Sequence, residues 1–151
     1  MKIPPALITL SFLLGSLAAP AAPSTDWPTW RGPTADGHAT AGQTVPVKWT
    51  ETENVVWRAP IRGRGHSTPI VVGNHVYVTS ADETKQEQFV LCFDRATGKP
   101  LWRQSNPTTY VDPYGYNNGP RCAPLLTTNR CYTFGAQGVL SCADLADGKL
   151  V

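Results

Sequence analysis

The sequence predicts an all-β fold, and it does so through its turn residues and an internal repeat. The 151 residues include 14 Pro and 13 Gly, which separate short apolar runs of strand length. The phrase "DRATGKPLW" at 94–102 returns in shortened form as "DLADGKLV" at 144–151. A period of about fifty residues with four short strands in each unit is typical of propeller blades. We therefore predict a β-propeller, of which two blades are present in this sequence.

The first residues have the pattern of an export signal. Lys2 is followed by the apolar run "ALITLSFLLGSLAA" at 6–19 and a small-x-small site at 19–21, as in cleaved leaders. A retained membrane anchor is the alternative, but it needs about 20 apolar residues. We expect residues 1–21 to be removed, no stable membrane insertion after cleavage, and a periplasmic or extracellular protein.

Two segments precede the first complete blade. Residues 22–53 are rich in Pro, Gly, Thr and Ala, and we predict an irregular leading segment. The run "NVVWRAP" at 54–60 has the composition of a strand. Residues 54–66 are therefore predicted as an outer strand with its connection, and this strand could close the ring of a complete propeller.

The first blade is predicted at residues 67–105. Gly73 and Asn74 are the two-residue signal of a tight hairpin. Four strand-like runs surround this turn and the motif at 94–98, namely "STPIVV" at 67–72, "HVYVTS" at 75–80, "QFVLCF" at 88–93 and "KPLWRQ" at 99–104.

The second blade is predicted at residues 122–151, after an inter-blade loop at 106–121. Residues recur at an offset of 55 in the first hairpin and of 50 in the repeated phrase. The matched pairs are Pro69 with Pro124, Asn74 with Asn129, Tyr77 with Tyr132, Cys92 with Cys142, Asp94 with Asp144, Gly98 with Gly148, and Lys99 with Lys149. The change of offset falls in a loop, where insertions are tolerated. The second copy stops before its tryptophan, so we expect the sequence to be the N-terminal piece of a longer protein.

The repeated phrase has a structural explanation. Asp94 can accept N–H bonds from the residues that follow it, and Gly98 can adopt the positive φ that turns the chain into the next strand. Trp102 is large enough to fill the wedge between neighbouring blades. Asp144 and Gly148 should repeat these roles in the second blade.

These residues resemble the PQQ-type, or quinoprotein-like, β-propeller repeat family, whose hallmark is Asp-x-x-x-Gly-Lys-x-x-Trp. "FDRATGKPLW" matches it fully and "ADLADGKLV" matches up to its end, while "DWPTWRGP" at 26–33 and "GPRCAP" at 119–124 resemble segments of exported bacterial members. Some of these are labelled PQQ-binding-like or outer-membrane-assembly-like. The resemblance implies about eight blades in the complete protein.

A candidate ligand site follows from blade geometry. The connections that enter the first strand and join the second strand to the third lie on one face. The loop that enters the second blade carries Tyr114, Asn117, Asn118 and Arg121, and the loop that enters the first carries Arg64 and His66. We hypothesise a polar ligand site at Arg64, His66, Asn118 and Arg121. The alternative is ordinary loop packing with solvated arginines.

The cysteines allow a disulfide if the protein is exported. A hairpin turn at Ala136 and Gln137 would place Cys131 opposite Cys142, but a shift of one residue would separate them. Small buried thiols are the alternative. No C-x-x-C spacing, zinc-ribbon pattern or local histidine motif occurs, and no metal site is predicted.

Several function classes find no support in the sequence. The net charge of +2 is spread along the chain, which gives no electrostatic pattern for nucleic acid. No H-E-x-x-H, P-loop or G-x-S-x-G motif is present, so no catalytic residue is predicted. Quinoprotein dehydrogenases often hold PQQ with adjacent cysteines, a stacked tryptophan and a Ca²⁺ site. No such cofactor site is evident here, and PQQ binding would require other blades.

Two functions remain at this point. The first is a non-catalytic scaffold that binds a protein or small-molecule ligand at a propeller face. The alternative is the N-terminal part of a PQQ-dependent alcohol or sugar dehydrogenase.

Overall fold

A computed structural model describes residues 24–151, and the predicted export signal at 1–21 lies outside the described residues. The described part is all-β, with two antiparallel sheets ordered β1-β2-β3-β4 and β5-β6-β7. The strands are β1 (Ile70–Val72), β2 (His75–Asp82), β3 (Glu87–Asp94), β4 (Pro100–Pro107), β5 (Leu125–Leu126), β6 (Arg130–Phe134) and β7 (Leu140–Asp144). The two sheets confirm the predicted fold class as successive blades of a propeller. Residues 24–151 contain no helix that could cross a membrane.

The first blade has four strands, with its hairpin at Gly73 and Asn74. Val72 pairs with His75 across this turn, and strand β4 extends to Pro107, slightly beyond the predicted end of the blade at residue 105. A backbone irregularity at Cys92 and Phe93 shifts the register between β3 and β4. Such bulges increase the local twist of a sheet.

The core lies between the two blades. Ile70, Tyr77 and Cys92 occupy paired positions on neighbouring strands, so their side chains project from one face of the first blade. All three are buried, and the second blade covers them with Leu126 and Leu145. Burying these apolar side chains between sheets is the main force that holds the blades together.

The described part of the leading segment is irregular, but its first residues belong to the blade. Trp27 forms a two-way backbone pair with Val71, with N···O distances of 2.7 and 3.0 Å. The Gly73 N–H donates to Asp26 Oδ1 at 3.1 Å, and Arg95 donates to Thr25 Oγ1 at 2.5 Å. This segment therefore covers the free edge of β1, which would otherwise expose unpaired backbone groups.

The strand predicted at 54–60 is wrong, because these residues form no regular strand. Strand assignment requires a hydrogen-bonded partner, and no described strand runs beside this segment. Its tryptophan is nevertheless placed by the first blade: Trp57 stacks on Phe93 with ring centroids 6.3 Å apart and donates from Nε1 to the Arg95 carbonyl at 2.7 Å.

The second blade repeats the first with three strands. A fourth begins where Leu150 bridges to Ala143. The turn is centred on Ala136 and Gln137 as predicted, but Gly138 adds one residue to the loop. Gly135 N donates to Val139 O at 2.9 Å and Gly138 N to Gly135 O at 3.0 Å, so the loop spans Gly135 to Val139.

The extra loop residue shifts the register of β6 and β7 by one, so the predicted facing of Cys131 and Cys142 is wrong. Cys131 is opposite Ala143, and Cys142 is opposite Tyr132. Adjacent residues of a strand point to opposite faces of the sheet, so the two sulfurs lie on opposite faces of the blade. All four thiols are free in this structure.

Both copies of the repeated phrase form the predicted turn. The Thr97 N–H donates to Asp94 Oδ1 at 2.8 Å, and the Ala146 N–H donates to Asp144 Oδ1 at 2.9 Å. The glycines that follow, Gly98 and Gly148, have φ of 70° and 72°.

Candidate functional site

One end of the two blades carries the long connections, and we call it the loop face. It comprises residues 61–66, 83–86 and 108–121. Arg64 and Ala81 exchange backbone hydrogen bonds of 3.0 and 2.9 Å, and the His66 N–H donates to the Pro120 carbonyl at 3.0 Å. The loop that enters the first blade is therefore held between the end of β2 and the inter-blade loop, on the face predicted from blade geometry.

The inter-blade loop is organised around one buried carboxylate. Asp112 is 5% exposed and accepts from the N–H groups of Tyr114 at 3.0 Å and Asn117 at 2.9 Å. Arg121 Nη2 donates to the same carboxylate at 2.9 Å. The hydrogen bonds from Asn117 and Tyr114 and the nearby Arg121 charge hold the pKa of Asp112 below its ordinary value.

A second buried side chain closes the base of this loop. Asn117 is 1% exposed. Its Oδ1 accepts from the Gly119 N–H at 3.0 Å, and its Nδ2 donates to the Gly119 carbonyl at 3.3 Å. A side chain at position 119 would collide with the Arg64 carbonyl. The two loops thus meet through backbone contact, which fixes their relative position.

The structure brings together the loops that carry the four predicted site residues, but two of the side chains already have partners in the protein. Asn118 Oδ1 accepts from the Asp112 N–H at 2.6 Å. Arg121 binds Asp112 and donates to the Asn117 carbonyl at 3.2 Å. Its pKa is raised, first by a hydrogen bond with Tyr110.

Arg64 and His66 are exposed. A ligand contact through Arg64 or His66 stays a prediction.

The loop presents two aromatic side chains that the predicted ligand set did not include. Tyr114 and Tyr116 are 79% and 76% exposed, and their rings stack with centroids 6.3 Å apart and planes inclined by 27°. They flank Gly115 at the tip of the loop. Their position in a long loop was predictable, whereas their pairing depends on the turn that Asp112 imposes.

The contact between the blades becomes polar near the loop face. Asn106 Nδ2 donates to Ser141 Oγ at 2.7 Å, and Gln88 Oε1 accepts from the Ala136 N–H at 3.1 Å. Gln137 Oε1 accepts from Thr108 Oγ1 at 2.8 Å. Side-chain amides thus connect β3 and β4 to the hairpin loop of the second blade.

A comparison with family models supports the predicted resemblance. The model described as outer membrane protein assembly factor BamB matches residues 24–89, which include most of the leading segment, β1, β2 and the first three residues of β3. Over these residues the chain is similar to the PQQ-type repeat family. No curated protein matches the chain in a sequence search.

Cysteine and tryptophan, two residue types that hold PQQ in many quinoproteins, have packing roles among the described residues. Cys92 and Cys131 are buried between the blades, and burial raises the pKa of Cys92 to about 11 and that of Cys131 to about 12. The Trp102 ring lies over Gly148. No cluster of His, Cys, Asp or Glu within residues 24–151 is arranged to hold a metal ion.

Proposed function

We propose that this PQQ-type repeat protein is an exported, non-catalytic binding or assembly scaffold. Its loop face is the contact surface, with Tyr114 and Tyr116 at its centre. The observation that carries the proposal is the internally braced inter-blade loop, which holds two highly exposed, stacked tyrosines.

The construction of the loop is suited to recognition. Ordering a loop at the moment of binding costs affinity, and a pre-ordered loop reduces this cost. Here Asp112, Asn117 and Arg121 order the loop from below. Tyrosine supplies a large amphipathic contact area with few rotatable bonds and is enriched at protein interfaces.

Two further observations agree with a scaffold. The leader pattern at residues 1–21 supports export to the periplasm or cell exterior. The family description names an outer membrane protein assembly factor, and we extend an assembly role to the present chain. The dehydrogenase alternative draws only on the wider resemblance to quinoproteins. It would require a cofactor site in other blades.

The proposal is tested by crosslinking at the loop tip. A photoreactive amino acid at position 114 in the exported full chain should give a discrete crosslinked product in the producing cells. The matched control carries it at Thr127, an exposed position in the hairpin between β5 and β6, and should give none. The same product in a strain with Tyr116→Ser should fall at least about fivefold.

Two results of the crosslinking experiment would contradict the proposal. Equal crosslinking at 114 and 127, or no loss in Tyr116→Ser, would exclude the loop tip as a specific surface. Equilibrium dialysis of the chain with PQQ and Ca²⁺ separates the alternatives, because saturable PQQ binding would favour the dehydrogenase.

A further inference from the structure

The polar part of the blade contact contains a row of amide side chains on one face of the first blade. Gln88 pairs with Asn106, and Gln104 lies two residues before Asn106 on β4. Alternation along a strand places all three side chains on the same face. This is the face that meets the second blade, since Asn106 bonds Ser141 across the contact.

Gln88 is the most constrained member of this row. It is 7% exposed, and its Oε1 is fixed by the Ala136 N–H at 3.1 Å. A Cβ at position 135 would lie 2.5 Å from the same oxygen, so a larger residue there would displace the amide. The backbone donor at Ala136 also fixes which end of the amide is oxygen, because an amide nitrogen cannot accept this bond.

The other end of this amide has no protein partner. Gln88 Nε2 is buried without a hydrogen bond to any described residue. Buried N–H groups in folded proteins are paired with protein or with ordered water. The lone nitrogen therefore requires an acceptor from outside the described part of the chain.

The surrounding cavity has room and chemistry for one small polar molecule. Gln104 and Thr133 line it together with Gln88. Gln104 uses its Nε2 for Ser105 and Asn106, and within residues 24–151 no hydrogen bond involves its Oε1. The cavity leaves about 20 Å³ for the centre of a water molecule, and about 10–15 Å³ on this measure is enough for one water.

We infer that this cavity is a binding site for one ordered water molecule, which accepts from Gln88 Nε2 and donates to Gln104 Oε1. The Thr133 hydroxyl is available as a third partner, which gives the three contacts typical of buried water. The water completes the bracing of the two blades at the loop face. The site is independent of the proposed binding role of the tyrosine tip.

A crystal structure of the full chain at about 1.6 Å resolution or better tests the site directly. We expect a single peak of water density within 3.2 Å of Gln88 Nε2 and of at least one of the other two polar groups. An empty cavity, or a Gln88 side chain rotated so that Nε2 meets a protein acceptor, would overturn the inference.

A variant identifies what holds the water. Gln88→Met keeps the length of the side chain and removes both amide atoms, so the peak should disappear. Gln104→Met removes only one partner of the water, so the peak should weaken. Persistence of a full peak in crystals of Gln88→Met would contradict the assignment. If that variant does not fold, the wild-type density alone decides.

Discussion

Two tryptophans meet two glycines in equivalent ways at the level of single residues. Trp57 covers Gly98 in the first blade, and Trp102 covers Gly148 in the second. Each indole also donates to a main-chain carbonyl, Trp57 to Arg95 at 2.7 Å and Trp102 to Leu145 at 3.0 Å. The repeated phrase therefore specifies both sides of a contact, a turn that accepts an indole and an indole that fills the next turn.

The glycine in this contact has two separate reasons to be glycine. Gly148 has φ of 72°, and a Cβ there would lie 2.5 Å from the Trp102 ring. Gly138 is a matched control, because its φ is 81° and a Cβ there would meet no atom within 4 Å. We expect Gly138→Ala to lower the free energy of unfolding by about 1 kcal/mol through backbone strain alone.

Gly148→Ala should cost a further 1–3 kcal/mol, roughly the cost of overpacking a well-packed contact. Urea unfolding followed by tryptophan fluorescence measures both variants. Equal losses in the two variants would show that the Trp102 contact adds nothing to the strain.

At the scale of the element, the inter-blade loop depends on a carboxylate rather than on apolar packing. Asp112 gathers two backbone donors and one guanidinium from within its own loop. A depressed carboxyl pKa means that the folded loop favours the charged form. The corresponding stability is present above the ordinary pKa of 3.8 and is lost as pH falls through the lower pKa of the folded state.

The titration of the Asp112 carboxyl therefore predicts the direction in which stability changes with pH. Carbon-detected NMR of the Asp112 carboxyl should show a midpoint below 3.8, and Asp112→Asn should lower the melting temperature at pH 7 more than at pH 3. Glu53→Gln removes one exposed carboxylate elsewhere and controls for net charge. A loss in Asp112→Asn that is the same at both pH values would refute this role.

The elements differed in how far the sequence predicted them. Gly73-Asn74 and the Asp94 phrase determine their turns locally, so the first blade was predictable almost strand by strand. The segment around Trp57 was predicted as a strand because its composition says nothing about whether a partner strand is present. The register of β6 and β7 depended on Gly138, which adopts a positive φ and lengthens the loop by one residue after the predicted turn.

The candidate site was harder to predict from the sequence. Its location followed from blade topology, which fixes where connections meet. The hydrogen-bond partners of Arg121 and Asn118 could not be predicted in this way. Each residue binds Asp112 across several loop residues, and the sequence does not specify the path of that loop. The stacking of Tyr114 on Tyr116 could not be predicted for the same reason.

For the whole molecule, the decisive feature is the outer face of the second blade. Leu125 is 60% exposed and Leu140 is 68% exposed, although Leu125 is the counterpart, at the offset of 55, of the fully buried Ile70. Phe134 pairs with Leu140 and is 50% exposed. Contiguous apolar side chains on an uncovered sheet promote association.

The chain of 151 residues should therefore self-associate through this face. Sedimentation velocity should show oligomers as the concentration rises through tens of micromolar, on the order expected for weak apolar interfaces. Leu140→Glu should restore a monomer, because a carboxylate in an apolar contact must lose its hydration. Val56→Glu is the control, since Val56 is 85% exposed and lies outside the blade, so it should leave association unchanged. A wild-type chain that stays monomeric at about 100 µM would mean that the exposed face is tolerated in water. If Val56→Glu reduced association as much as Leu140→Glu, the association would depend on net charge and not on the blade face.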